Sequence, residues 1–196
     1  MPAVRTLTLS EIAWPQSGLA RDALLIAWAS FATAVAAQIA IPLPWSPVPI
    51  TGQTFAVLLS GAALGARRAF LAQLLYLAEG SLGLPAFAGG TGGVAVLLGP
   101  TGGYLLSFPL GAAITGALAE HEWDRRFATM FAAMLLGSVV IFAGGLMSLS
   151  RFVPAERLLA LGLLPFVPGD LIKAGLAAAA IPAVWRMVGR RSGTRA

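Results

Sequence analysis

Two charged residues, Asp170 and Lys173, stand three positions apart at the start of a long apolar segment, and Lys173 is the only lysine in the chain. They are the only ionisable residues between Arg157 and Arg186. Near the centre of a bilayer each charge costs about 2.5–3.5 kcal/mol, which proteins usually tolerate only for function. The spacing places both side chains on one face of a helix, where they can share a cavity. The pair predicts a binding site; a charge pair that only fixes the depth of the helix at the membrane interface is an alternative.

The chemistry of this pair favours a small organic ligand. Such a ligand would carry a donor for Asp170 and an anionic or carbonyl group for Lys173 on an apolar body. Metal binding needs several carboxylates or histidines, but the one histidine, His121, stands in a predicted solvated turn. No phosphate-binding loop and no nucleophile motif occurs in the chain. We therefore predict no catalytic residues, no metal and no cofactor.

The composition places the protein in a lipid bilayer. Of its 196 residues 58% are hydrophobic and 11% are charged, and the mean hydropathy is +0.83, whereas soluble domains carry about 25% charged residues. The net charge of +5 is spread over short clusters between apolar segments and forms no patch with aromatic residues, so nucleic acid is not an expected partner. Cysteine is absent, which excludes disulfides and thiolate chemistry.

The apolar segments predict a single all-α membrane domain, a bundle of six transmembrane helices with ordered outer loops. The predicted spans are residues 23–41, 53–66, 69–79, 103–119, 127–149 and 169–187, with cytoplasmic tails at 1–22 and 188–196. Residues 42–52 hold four prolines, and residues 80–101 are rich in glycine. Both segments are therefore predicted as non-helical loops.

The distribution of basic residues predicts the orientation of this bundle. With six spans, Arg151 and Arg157 fall on the outer side. The other arginines fall on the inner side: Arg5, Arg21, Arg67, Arg68, Arg125, Arg126, Arg186, Arg190, Arg191 and Arg195. This asymmetry predicts a protein of the cell (inner) membrane with both termini in the cytoplasm. The two loops and the Asp170 end of the last span would then meet at the outer face.

Those outer loops are expected to enclose a pocket. Non-helical backbone at membrane depth is tolerated only where it is buried in protein or lines a cavity. The loops bring neutral polar groups to this place, namely Thr51, Gln53, Thr101 and Tyr104. They also bring apolar walls, namely Trp45, Phe55, Phe87 and Phe108. A mostly apolar pocket with a few polar groups is typical of a small-molecule site.

The first span carries small residues at every fourth position. Ala32, Ala36 and Ala40 form one such row, and a second row of Ala29, Thr33 and Ala37 lies beside it. Small residues at this spacing allow another helix backbone to approach closely. The sequence leaves open whether that helix belongs to a partner or to the same bundle.

Four motifs resemble the BioY family, the biotin-binding S components of energy-coupling-factor transporters. They stand in the family's order at residues 47–54 (PVPITGQT), 83–90 (GLPAFAGG), 99–104 (GPTGGY) and 168–173 (PGDLIK). The resemblance covers roughly residues 23–188. It implies a six-helix membrane protein that is not an enzyme, captures biotin from outside, and works with a transmembrane coupling subunit and two cytoplasmic ATPases.

The resemblance also implies roles for particular residues. The expected substrate-binding residues are Thr51, Gln53, Phe87, Gly89, Gly90, Tyr104, Asp170 and Lys173. Ala32, Ala36 and Ala40 match the surface that docks on the coupling subunit. We expect Asp170 to accept a hydrogen bond from the ureido group of biotin and Lys173 to bind a ligand oxygen, either ureido or carboxylate. Alternatives are an S component for another small vitamin, a stand-alone vitamin facilitator, and a structural membrane subunit without a ligand.

Overall fold

The computed structural model describes residues 7–15 and 17–193. The ends of both predicted tails, residues 1–6 and 194–196, lie outside the described residues. Arg5 and Arg195, which were counted for the orientation, belong to those ends.

Helices make up most of the described chain. They are α1 (Leu9–Ala13), α2 (Leu19–Ala37), α3 (Gln53–Leu64), α4 (Ala66–Ser81), α5 (Val94–Leu98), α6 (Gly102–Ala119), α7 (Phe127–Leu149), α8 (Leu158–Gly162) and α9 (Val167–Gly193). Within the described residues, α2, α6, α7 and the segment Ala155–Met187 are long and apolar enough to cross a membrane. Helices α3 and α4 have only 12 and 16 residues. The prediction of a helical membrane protein is confirmed at this level.

The proline-rich connection after α2 is a β-hairpin, so the prediction of an all-α fold is wrong here. Strands β1 (Ala40–Leu43) and β2 (Ser46–Thr51) pair in antiparallel fashion, with an irregularity in register between Ile41 and Leu43. Proline removes a ladder donor but tolerates extended backbone at a sheet edge, and it pushes the residue before it toward β geometry. Because α2 ends at Ala37, Ala40 lies in β1 and does not extend the helical row of Ala32 and Ala36.

The prediction of a non-helical loop over residues 80–101 is wrong in part, because this segment contains short helices. In the glycine-rich segment, a 3₁₀ turn at Ala88–Gly90 precedes α5. Gly89 and Gly90 have φ values of 66° and 74°, a region that glycine enters without the steric cost of a side chain. Between α7 and α9, a 3₁₀ turn at Ala155–Arg157 is followed by α8.

Helix α6 is the centre of the bundle and packs against α3, α4 and α7. Its backbone comes very close to α3, because a side-chain carbon at Gly61 would collide with the carbonyl oxygen of Ala112. Small residues allow such approach between membrane helices, where packing and not hydrophobicity drives association. The close contact fixes α3 against α6 and thereby positions the start of α3.

The inner row of small residues on α2 packs within the bundle. Ala29, Thr33 and Ala37 are buried, and the hydroxyl of Thr33 accepts a hydrogen bond from Nε2 of Gln73 on α4 at 3.2 Å. Ala32, on the adjacent row, stays half-exposed. The structure thus separates the two rows, with one facing α4 and the other partly free.

Ion pairs join the beginnings of α2 and α4. Arg68 donates through Nε to Asp22 at 2.9 Å and through Nη1 to Glu11 of α1 at 3.1 Å. Glu120, which follows α6, accepts a hydrogen bond from the backbone N–H of Ala66 at 3.0 Å. A carboxylate at the N-terminus of α4 satisfies a free donor of that helix and complements its dipole.

At the same end, α9 is attached to the connection between α6 and α7. The indole N–H of Trp185 donates to the buried carboxylate of Asp124, and the guanidinium of Arg125 lies over the Trp185 ring. Burial raises the pKa of Asp124 above its ordinary value, although the hydrogen bond from Trp185 and the charge of Arg125 both favour the ionised form. These contacts set the position of α9 along the bundle.

We predict that Gly61→Ala destabilises the protein by roughly 1–3 kcal/mol, because the added methyl group forces α3 away from α6. Gly175→Ala on α9 is the matched control, since a side-chain carbon there meets nothing within 4 Å. It should leave stability unchanged or raise it slightly, because alanine favours helix over glycine. Thermal unfolding of both variants in one detergent measures this. Equal unfolding temperatures would contradict the close packing.

Candidate binding site

A cavity of about 210 Å³ lies at the end of the bundle where α2 ends and α9 begins. Its wall is built from β2, the first turn of α3, the segment from Phe87 to Val96, the first two turns of α6, Phe142 of α7, and the start of α9 with the turn before it. The hairpin that closes one side is held in place by Ser46, whose hydroxyl donates to the carbonyl oxygen of Leu161 at 2.8 Å. The segments with irregular backbone thus enclose a space between the helices.

Most of the residues expected to bind substrate line this cavity. Those that do are Thr51, Gln53, Phe87, Tyr104, Asp170 and Lys173. Gly89 and Gly90 do not line it; their left-handed backbone forms the turn that presents Phe87, Ala88 and Thr91. Of the other expected lining residues, Thr101 and Phe108 lie in the wall, whereas Trp45 is exposed and Phe55 packs against the core.

Lys173 reaches from α9 to the junction of β2 and α3. Its ammonium donates to the carbonyl oxygen of Thr51 at 2.8 Å and to the hydroxyl of Thr54 at 3.0 Å. Within the described residues, both of its hydrogen bonds thus go to this junction and neither goes to Asp170. An ammonium has three donors, so the third is available to a ligand in the cavity.

Asp170 lies one turn before Lys173 and is buried. Its carboxylate is near the hydroxyl of Ser138 on α7 and interacts electrostatically with Lys173. Because α9 places the two charges toward α7 and α3 respectively, the cavity presents an acceptor and a donor at separate points of its wall.

Gln53 is held by the protein at both ends of its amide. The hydroxyl of Thr51 donates to Oε1 at 2.9 Å, and Nε2 donates to the hydroxyl of Tyr76. The Tyr76 hydroxyl in turn donates to the carbonyl oxygen of Ala86 at 3.1 Å. This chain of bonds ties α3 to α4 and to the loop that carries Phe87. Gln53 is therefore oriented before any ligand arrives.

Tyr104 contributes its ring to the cavity more than its hydroxyl. The hydroxyl donates to the carbonyl oxygen of Gly162 at 2.7 Å, which fixes the end of α8. The ring forms an aromatic cluster with Phe142 and Phe166, with centroid separations of 6.3 to 6.5 Å. These three rings provide a wide apolar face for a ligand.

Phe87 forms a second aromatic wall. Its ring lies directly on Gly80, where any side chain would overlap it, and it meets Tyr76 edge to face at 5.5 Å between centroids. The ring is fully buried. Gly80 is thus the residue on α4 that makes room for this wall.

Several lining residues were not predicted from the sequence. Thr54 and Val48 belong to the motif at residues 47–54, so membership of that motif was the sequence signal that could have identified them. Phe142 and Phe166 stand in apolar segments, and nothing in their local sequence separates a cavity wall from a lipid-facing side chain. Only the packing of α7 and of the turn before α9 brings them to Tyr104.

The arrangement is suited to binding a small molecule. The described residues contain no group of three or more metal-ligating side chains. The cavity has one acidic group, one basic group and neutral hydroxyls and amides between aromatic walls. This matches a ligand with a compact apolar part, amide-like donors and acceptors, and a limited number of charges.

Known proteins show the same combination of fold and sequence. A "Probable biotin transporter BioY" from Pyrococcus horikoshii is 40% identical over 158 residues, which cover 81% of this chain and 92% of the relative. The "Biotin transporter BioY" from Thermotoga maritima is 44% identical over 145 residues, covering 74% and 83%.

A solved structure agrees with these relatives. The crystal structure of the S component for biotin from an ECF-type ABC transporter superposes with a TM-score of 0.73 and 26% identity, covering 87% of this chain and 95% of that one. The model of the BioY family matches residues 6–190. The resemblance seen in the four motifs is thereby confirmed: this chain belongs to the BioY family.

Proposed function

We propose that this chain is the substrate-binding subunit of a biotin uptake transporter. The observation that carries the proposal is that one cavity is lined by both Asp170 and Lys173 between aromatic walls. Biotin has ureido donors, a ureido carbonyl, an apolar thiolane ring and an aliphatic chain ending in a carboxylate. The carboxylate of Asp170 matches the ureido donors, and the ammonium of Lys173 matches a ligand oxygen.

The relatives support the choice of biotin over other small vitamins. Those quoted above are named as biotin transporters, and the similar crystal structure is that of an S component for biotin. The cavity supports it independently, because its few polar groups and large aromatic area suit a molecule with one anionic group. The chain acts as a transport protein and not as an enzyme.

Direction and energy supply complete the proposal. The bundle has six spans with both termini in the cytoplasm, so that the cavity opens to the outer side of the cell membrane. The sequence contains no nucleotide-binding motif, so ATP hydrolysis is supplied by a coupling module with one transmembrane subunit and two ATPases. The half-exposed row with Ala32 and Ala36 on α2 is the surface for that module.

A stand-alone facilitator is the second candidate, and liposome uptake without ATPases would favour it.

We predict that Asp170→Asn weakens biotin binding about 10- to 100-fold, because a hydrogen bond to a charged group is worth about 1.5–3 kcal/mol. Lys173→Ala should weaken it to a similar extent. Glu156→Gln is a matched control, since Glu156 is exposed and lies outside the cavity wall. Calorimetry on the purified variants measures the change, and unchanged affinity in both cavity variants would exclude this assignment.

We predict that biotin selectively raises the unfolding temperature of the purified protein. A ligand at 100 times its dissociation constant stabilises the folded state by about 2.7 kcal/mol. Thiamine and riboflavin at the same concentration should produce no shift, because neither combines the ureido ring of biotin with a carboxylate chain. A shift with one of them and none with biotin would show that the substrate is a different vitamin. Absence of any shift would favour a structural subunit.

We predict that Ala32→Trp abolishes ATP-driven uptake and leaves biotin affinity unchanged. The indole would prevent a coupling subunit from approaching α2, while the cavity lies elsewhere. Ala27→Trp, at an exposed position on a different face of the same helix, serves as the control. Uptake in proteoliposomes that contain the coupling module and ATP measures the effect. Equal uptake by both variants would place the docking surface elsewhere.

A further inference from the structure

The ammonium of Lys173 is held by two groups that belong to the same short stretch of chain. The carbonyl oxygen of Thr51 is the last acceptor of β2, and the hydroxyl of Thr54 lies in the first turn of α3. In sequence, Lys173 lies 122 residues after Thr51 and 119 residues after Thr54. Both threonines also line the cavity.

These contacts restrict a side chain that is otherwise flexible. A lysine side chain loses much rotamer freedom when it is fixed, and a ligand that has to fix it binds less tightly. Here the protein provides two acceptors before a ligand binds. The first is a backbone carbonyl that substitution leaves in place, whereas the second is a side-chain hydroxyl that a substitution can remove.

We propose that Thr54 is a positioning residue, whose hydroxyl holds the Lys173 ammonium on the α3 side of the cavity with one N–H free for an oxygen of the ligand. This inference rests on the proposed function in taking biotin as that ligand. Thr54 acts through Lys173 and keeps the ammonium away from the Asp170 carboxylate, so that each charge meets a different group of biotin.

A double-mutant cycle tests this role. Thr54→Val keeps the branched shape and removes the hydroxyl, Thr54→Ser keeps the hydroxyl, and Lys173→Met removes the charge at similar length. We expect Thr54→Val to weaken biotin binding about tenfold and Thr54→Ser to bind like the unsubstituted protein. In the Lys173→Met background, Thr54→Val should cause no further loss, since the two residues act as one unit. Calorimetry provides the affinities of all five proteins.

Three results of this cycle would overturn the inference. An equal loss from Thr54→Val in both backgrounds would mean that Thr54 acts on the ligand or on the fold directly. A serine variant as weak as the valine variant would assign the effect to shape. Unchanged affinity in Thr54→Val would remove the role altogether.

A second measurement needs no ligand, and it decides the matter where Lys173→Met binds too weakly to titrate. Because Lys173 is the only lysine, selective ¹⁵N labelling yields one side-chain ammonium signal in the NMR spectrum. We expect the protein and Thr54→Ser to share its position, and Thr54→Val to shift or broaden it through faster exchange with solvent. An unaltered signal in Thr54→Val overturns the inference. If the unsubstituted protein does not bind biotin but Thr54→Val still shifts the ammonium signal, the proposed function is rejected and the contact between Thr54 and Lys173 stands.

Discussion

The contact between Lys173 and the junction of β2 and α3 is the interaction on which the site depends. A cation in an apolar bundle needs hydrogen-bond acceptors, since burying it without them costs several kcal/mol. Thr51 and Thr54 provide those acceptors at 2.8 and 3.0 Å. The bonds join the last helix to the hairpin and to α3, which are distant in sequence. They also leave the Asp170 carboxylate near α7, so the cavity keeps an acceptor and a donor at separate points.

A second set of bonds holds the irregular segments around this centre. Gln53, Tyr76 and Ala86 form one chain of hydrogen bonds, and Tyr104 bonds to the carbonyl oxygen of Gly162. The hydroxyl of Tyr104, which the sequence suggested as a ligand contact, is thus used to fix the end of α8, since backbone carbonyls at membrane depth require hydrogen-bond partners. Of these residues, Tyr104 turns its ring to the cavity. A mostly preformed apolar site follows from that arrangement.

The helices could be anticipated because length and hydropathy depend on local sequence. Helices α6 and α7 begin and end within a residue of the predicted segments, where glycine or charged residues interrupt the apolar pattern. The hairpin could not be anticipated, since repeated prolines fit both an irregular loop and an edge ladder. Ala40 was placed on a helix for the same reason. Gly89 and Gly90 were expected to bind the substrate, but they lie outside the cavity wall. Their positive φ values form the turn that carries the lining residues Phe87, Ala88 and Thr91.

The sequence by itself determined that the chain lies in a membrane, which residues carry charge in an apolar environment, and which family it resembles. Those conclusions depend on composition and on short motifs, which packing does not alter. The tertiary structure decided which groups share the cavity. Phe142 and Phe166 join Tyr104 only because α7 and the turn before α9 pack together. Thr54 meets Lys173 only because the chain returns to it after 119 residues. Contacts of that separation depend on helix packing, which no local pattern encodes.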